Sequence, residues 1–117
     1  MHDIVSSQVK AWKSQLKKGT LELAVLALLK TQRRYGLELL EQLNELDLEV
    51  SDGSIYPLLS RLRNEKKVTT EWVDENVGHA HKYYRLTPYG NQILRGMLAA
   101  WGEYTTTVNR ITGNLHE

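Results

Sequence analysis

The sequence predicts a mainly α-helical fold with one small β-hairpin, an α+β architecture. Three patterns point to it. Apolar residues recur at three- and four-residue spacings along most of the chain. Strict alternation is confined to residues 68–86 and is interrupted there by Gly78. The C-terminal stretch carries a seven-residue repeat. At 117 residues the chain has room for one modest core.

The first helix is expected over residues 3–18. Val5, Val9, Trp12 and Leu16 form its apolar stripe, and Lys10, Lys13 and Lys17 fall elsewhere on the wheel. Lys17 and Lys18 suit the negative end of a helix dipole, and Gly19 follows as a stop signal. Thr20 then reads as the cap of a second helix, with Glu22 in its first turn. Leu23–Leu29 is apolar on every side. Its Leu and Ala content predicts a buried helix rather than a strand. After the polar break Gln32–Gly36, a third helix turns Leu37, Leu39, Leu40, Leu43 and Leu46 inward and Glu38, Glu41 and Glu45 outward.

Residues 51–67 form the fourth helix, with Ile55, Leu58, Leu59 and Leu62 directed into the core. Its start has two readings. Ser51 as N-cap leaves Pro57 beyond the first turn, where it deletes a backbone hydrogen bond. Ser54 as N-cap brings Pro57 into the first turn, where proline is tolerated. Val68–Glu75 then alternates as a strand, Asn76–Ala80 makes a turn, and His81–Leu86 returns as the second strand. Tyr83 and Tyr84 point to opposite faces of it, so one is expected in the core and the other in water. Thr87-Pro88 opens the last helix as cap and first-turn proline. On that helix Leu94, Trp101 and Val108 are seven apart, as are Met97, Tyr104 and Ile111, and the offset of three makes an a/d seam. Such a seam must be covered, either by its own domain or by a second chain, and about three heptads exceed one short core, which favours the second chain.

With no Cys, disulfides, thiolate catalysis and cysteine-held zinc are excluded. Paired carboxylates, a nucleophile elbow, a phosphate loop and a metal cluster are all missing, so neither an enzyme nor a cofactor is expected. His79 and His81 share a strand face without a third ligand, so no metal site is expected either. Leu23–Leu29 is too short to span a bilayer, and the N-terminus lacks the basic-then-apolar order of a signal peptide. A cytoplasmic protein with no membrane partner is the expectation.

The net charge of +1 conceals segregation. From Glu38 to Asp52 there are six acids and no Lys or Arg, whereas Arg61 to Lys67 has four bases against Glu65. Lys82 and Arg85 add to the basic side on the second strand. Such a cluster fits a surface that meets phosphates, and equally a solvated helix end.

Three helices followed by a two-stranded hairpin is the order of a winged helix-turn-helix. Four blocks sharpen this: GTLELAVLALL from Gly19, YGLEL from Tyr35, SDGSIYPLLSRL from Ser51 and KYYRLTPYG from Lys82. In this order they closely resemble the PadR family of bacterial transcriptional regulators. The resemblance implies an N-terminal dimerisation helix (1–18), a winged helix-turn-helix that binds DNA (19–88) and a C-terminal dimerisation helix (89–117). It also implies a recognition helix that starts near Ser51 and enters the major groove. Ser51, Ser54 and Tyr56 then lie near its exposed N-terminal end, and Arg61 and Arg63 are candidate phosphate contacts. On the wing the candidates are His79, His81, Lys82 and Arg85.

One departure stands out. Relatives often carry several Arg or Lys between the turn glycine and the tyrosine pair, where this chain has Gly78-His-Ala-His-Lys82, which implies a weaker, pH-dependent wing. The resemblance further implies that Val5, Val9, Trp12 and Leu16 meet Leu94, Met97, Trp101, Tyr104, Val108 and Ile111 across a homodimer interface. Some relatives bind planar aromatic effectors with a Trp on the last helix, and Trp101 holds the corresponding position; otherwise it is a large knob in the seam. The function implied is a homodimeric repressor of an inverted-repeat operator in double-stranded DNA, open to a small aromatic effector. The rival reading, sustained by the acidic stretch and the near-neutral net charge, is a winged-helix protein–protein module that does not read DNA.

Overall fold

Residues Ile4–Thr31 form one continuous helix, α1, in the computed structural model, which describes residues 3–76 and 78–115. The break expected at Gly19 does not occur. A glycine ends a helix only where the following residues gain by leaving it, and Leu21–Leu29 reach the core by continuing it. The Thr20 hydroxyl, expected to cap a new helix, donates back to the Leu16 carbonyl at 2.8 Å. The boundary drawn after residue 18 therefore falls inside a helix. Asp3 caps the start of α1, accepting from the Ser6 amide at 2.6 Å.

The polar break hides a short strand, β1 (Arg34–Tyr35). Two residues cannot show alternation, so nothing local marks it. Arg34 is buried and donates through Nε to the Leu28 carbonyl at 3.1 Å and through its guanidinium to Thr31 Oγ1 at 2.9 Å. A cation at this end of α1 also suits the helix dipole.

Helix α2 (Gly36–Glu45) begins with the Tyr35 amide donating to Glu38 Oε1 at 3.0 Å. Leu39 and Leu43 enter the core, but Leu37 and Leu46, expected inward, are exposed. Leu37 lies off the row that Leu39 and Leu43 define, and Leu46, on that row by spacing, is the C-cap residue where the helix has already ended. The loop to the next helix holds Asp47 and Glu49 at φ 63° and 50°, an uncommon conformation for non-glycine residues. The Asn44 side chain clasps this loop: its Nδ2 donates to the Val50 carbonyl at 3.0 Å, and its Oδ1 accepts from the Val50 amide at 2.6 Å.

Helix α3 (Asp52–Asn64) has Ser51 as its N-cap residue and contains Pro57, so the earlier of the two possible starts is the observed one. Gly53 and Pro57 are exposed, which leaves the unpaired Gly53 carbonyl facing water. Ile55, Leu59 and Leu62 are fully buried and Leu58 partly so. The helix ends before residue 67 because Lys66, at φ 64°, turns the chain into β2.

Strands β2 (Val68–Asn76) and β3 (His79–Leu86) make the hairpin, and β1 adds to its other side, giving an antiparallel sheet of order β1-β3-β2. β3 starts at His79, so the turn is tighter than expected; Val77 within it lies outside the described residues. Tyr83 and Tyr84 are both buried, against expectation. Tyr84 joins the core. Tyr83, on the opposite face, is covered by the Tyr35 ring edge-on at 5.4 Å and by the Arg33 guanidinium at 4.9 Å. Its hydroxyl donates to Glu75, and that bond, with desolvation and the Glu75 charge, pushes the phenol up to about 12.

Helix α4 (Pro88–Thr112) starts as expected, with Thr87 Oγ1 accepting from the Gly90 amide at 2.9 Å. The core gathers Val25, Leu26 and Leu29 of α1 with Leu39, Leu43, Ile55, Leu59, Leu62, Val68, Tyr84 and Leu94. Both the start of α1 and the end of α4 run past it, and the molecule reaches 58 Å along its long axis.

Candidate nucleic-acid interface

The outer side of α3 presents Ser51, Ser54 and Tyr56 to solvent near its N-terminus. The Tyr56 ring rests on the first residue of α2: a Cβ at Gly36 would sit 2.5 Å from Tyr56 Cε1. That glycine, part of the second sequence block, leaves room for the ring. The Ser51 hydroxyl lies 3.3 Å from that of Ser54.

The arginines of α3 differ in what they touch. Arg61 donates to Glu22 of α1 at 2.6 Å and to Glu65 at 3.0 Å, and Lys67 donates to the same two carboxylates at 2.9 and 3.0 Å. This four-charge cluster ties α3 to α1. Arg63 is exposed and makes no ion pair among the described residues. Burial pushes the Glu22 carboxyl up, but hydrogen bonds and charge from Arg61 and Lys67 outweigh it and hold the group below its ordinary value of 4.5.

The Glu22 cluster predicts acid sensitivity. A carboxyl lowered on folding adds stability that is complete above its unfolded value and is lost as pH falls through the folded one. The melting temperature of the wild type is therefore expected to drop further than that of Glu22→Gln between neutral pH and about pH 3. Equal drops in the two proteins would show that the cluster contributes nothing.

On the wing, His79 is exposed and His81 stacks on Tyr35, with ring centres 4.3 Å apart and planes 13° from parallel. Lys82 Nζ lies 5.8 Å from the Tyr84 ring centre. Arg85 donates to Glu71 at 2.7 Å, and Arg33, which the sequence reading did not single out, donates to the same oxygen at 2.7 Å. These two hydrogen bonds, Arg85 first, hold the Glu71 carboxyl below the usual range. No group of three or more metal-ligating side chains forms among the described residues.

The structure thus brings Tyr56, His81 and Lys82 to one cleft between α3 and the wing, while Ser54 faces away from it towards α1 and Arg61 and Arg85 are engaged by carboxylates elsewhere. Apart from this cleft, Val5, Val9, Trp12 and Leu16 of α1 and Trp101, Tyr104 and Ile111 of α4 are exposed. Met97 and Val108 are half-buried. Leu94, grouped with them by its spacing, is instead buried in the core of its own chain, so the exposed seam starts at Met97. Trp12, Leu16, Leu23, Met97, Trp101 and Tyr104 line a groove of about 480 Å³ between α1 and α4. No helix is long and apolar enough to cross a membrane among the described residues.

Comparison with known proteins gives the same fold. Residues 25–96 match the model of the transcriptional regulator PadR-like family. A PadR-like transcription factor from Bacteroides fragilis is 40% identical, with 86% of this chain and 98% of that chain covered and a TM-score of 0.72. A PadR-like transcriptional regulator from Bacillus cereus is 38% identical over 83% of this chain and 95% of that one, with a TM-score of 0.77. For a PadR family transcriptional regulator from Eggerthella lenta the identity is 32%, the coverage 96% and 95%, and the TM-score 0.79. These relatives are transcription regulators rather than enzymes. A winged helix with these sequence blocks, matched over most of its length, belongs to the PadR-like family of transcriptional regulators.

Proposed function

We propose that the chain is a cytoplasmic, homodimeric regulator that reads an inverted repeat in double-stranded DNA and represses transcription. The observation that carries this reading is the exposed N-terminal side of α3, where Ser51, Ser54 and Tyr56 face solvent and the Tyr56 ring is seated on Gly36. Hydroxyls at this end suit phosphate oxygens and base edges, and an aromatic ring suits a thymine methyl. Arg63, His79, His81 and Lys82 would add phosphate contacts, joined by Arg61 and Arg85 where phosphate displaces their carboxylate partners. Residues 19–88 carry this activity, while residues 1–18 and 89–117 supply dimerisation through the exposed stripes of α1 and α4. The groove beside Trp101 is aromatic and large enough for a small planar effector.

Titration of DNA from upstream of the protein's own gene, against scrambled DNA across a salt series, tests the reading. A strong preference for the native fragment is expected, with a log–log salt slope that steepens by about −0.9 for each phosphate neutralised. Weak and equal binding to both would favour the protein–protein module, to which the acidic stretch Glu38–Asp52 points. In the same assay Tyr56→Ala is expected to weaken binding to the native fragment by about tenfold, within the range for one base contact, and to the scrambled one far less. Equal losses on both DNAs would remove Tyr56 from sequence reading.

A further inference from the structure

The cleft between the recognition helix and the wing holds groups that the functional reading leaves unused. Trp72 on β2 is 70% exposed, a large indole standing in water. Its register partner on β3 is Lys82, and the next pair along the same face is Thr70 with Tyr84. Tyr84 belongs to the core. Trp72 and Lys82 therefore continue the face by which the sheet packs on the helices, beyond the point where that packing ends. The opposite wall is made by Leu37 of α2, also exposed, and by Tyr56 of α3. Between them lies an open cleft of about 410 Å³, and none of the described side chains lining it is a carboxylate. The Tyr35–His81 stack fastens the wing to the start of α2, so the cleft has a set width before anything enters it.

We propose that one sugar–phosphate strand of the DNA occupies this cleft and that Trp72 is a principal backbone contact. Deoxyribose carbons would pack on the Trp72 and Leu37 side chains, and a phosphate oxygen would accept from the indole N–H and from Lys82 Nζ. The inference rests on the reading of α3 as the recognition helix. A helix in the major groove has a phosphate strand along each side, and a strand passing between α3 and the wing must cross this cleft. The lining matches the alternation of that polymer: apolar rings with one donor edge, a lysine, and no fixed negative charge. A second copy of the chain is the poorer occupant, because the apolar stripes suited to a copy lie on α1 and α4 and share no residue with this cleft. Alternation alone gives no hint of this role, since it places Trp72 on a strand face without saying what that face meets.

The test compares Trp72→Ala and Trp72→Phe with the wild type, binding the upstream fragment and a random-sequence duplex. Trp72 is exposed, so helicity by circular dichroism and dimer mass by sedimentation should match the wild type. Because the contact is to backbone, Trp72→Ala is expected to lower affinity by about tenfold on both DNAs. Trp72→Phe, which keeps the ring and loses the N–H donor, should fall between. Unchanged affinity of Trp72→Ala, while the wild type binds DNA, would overturn this contact and leave the functional reading intact. Absence of salt-dependent DNA binding by the wild type would overturn both. Loss of affinity on the upstream fragment alone would overturn the backbone role.

Discussion

Replacing Gly90 with alanine is expected to lower folding stability by roughly 3 kcal/mol or more, among the largest effects of any single change in this chain. Gly90 sits in the first turn of α4, directly over the backbone that joins α3 to β2. A Cβ there would fall inside the van der Waals radius of the Lys67 carbonyl oxygen, 2.8 Å from the carbonyl carbon and 3.0 Å from Leu86 Cδ1. The obstacle is backbone and cannot swing aside. Lys67 is itself pinned, because its amide donates to the Leu62 carbonyl at 2.9 Å and its carbonyl accepts from the Thr87 amide at 3.1 Å. Thr87 also donates from its hydroxyl to the Lys66 carbonyl at 2.7 Å while capping α4. To admit a methyl group, α4 must lift from this anchor and pull Leu94 from the core. Urea unfolding followed by circular dichroism measures the loss, with Gly96→Ala as the control. Gly96 has no atom within 4 Å of its Cβ position, so alanine there should stabilise the helix by about 0.5–1 kcal/mol. A Gly90→Ala protein within about 0.5 kcal/mol of the wild type would show that the junction yields easily.

Trp101→Glu is expected to convert the proposed dimer into a monomer and to reduce operator affinity by roughly two to four orders of magnitude, the scale lost when two linked half-sites are read separately. Trp101 stands between Met97 and Tyr104 on the side of α4 that faces the groove along α1. Tyr104 and Ile111 further along are 63% and 71% exposed in the single chain. An apolar stripe of this length favours cover by a second copy, and a carboxylate in the proposed interface has no cation to pair with among the described residues of the groove wall. Leu94, buried in the chain's own core, is untouched, so the monomer should keep its fold. Sedimentation gives the mass and DNA titration the affinity. A Trp101→Glu protein that stays dimeric and binds DNA like the wild type would place the interface elsewhere.

These two changes mark how far the sequence could be read. The start of the last helix and the repeat along it were legible, because Thr87-Pro88 is a local signal and the heptad is a periodic one, but its end at Thr112, short of the expected 89–117, was not. The spacing alone assigned Leu94 and Trp101 to the same seam, however. Only the packing of α1 and β3 around the first turns of α4 separates the core leucine from the exposed tryptophan. The motif glycines behaved similarly. Gly36 and Gly90 were visible as letters in two blocks, but their reasons, the Tyr56 ring and the Lys67 carbonyl, come from elements 20 or more residues away.

The errors share a cause. Gly19 and Thr20 form a convincing stop and start by local chemistry, yet α1 runs through them because the distant core rewards Leu21–Leu29 for staying helical. Tyr83 and Tyr84 were set on opposite faces by alternation, which assumes that one of the two faces is wet. β1, too short to leave a pattern, brings Tyr35 and Arg33 over that face and dries it. Arg61 read as a candidate phosphate contact; its neighbour Glu65 was within sight at i+4, but Glu22, its partner at 2.6 Å, is 39 positions away.

By itself, then, the sequence determined the helical class, the hairpin, the core leucines of α3, the capped start of α4 and the family, since each is written in short-range spacing or in contiguous blocks. Tertiary structure decided which apolar residues are core and which are surface, which cations are already paired, and that Trp72 and Tyr56 wall one cleft. The reason is physical: periodicity reports which side a residue faces, but what stands on that side depends on chain segments that only folding brings together.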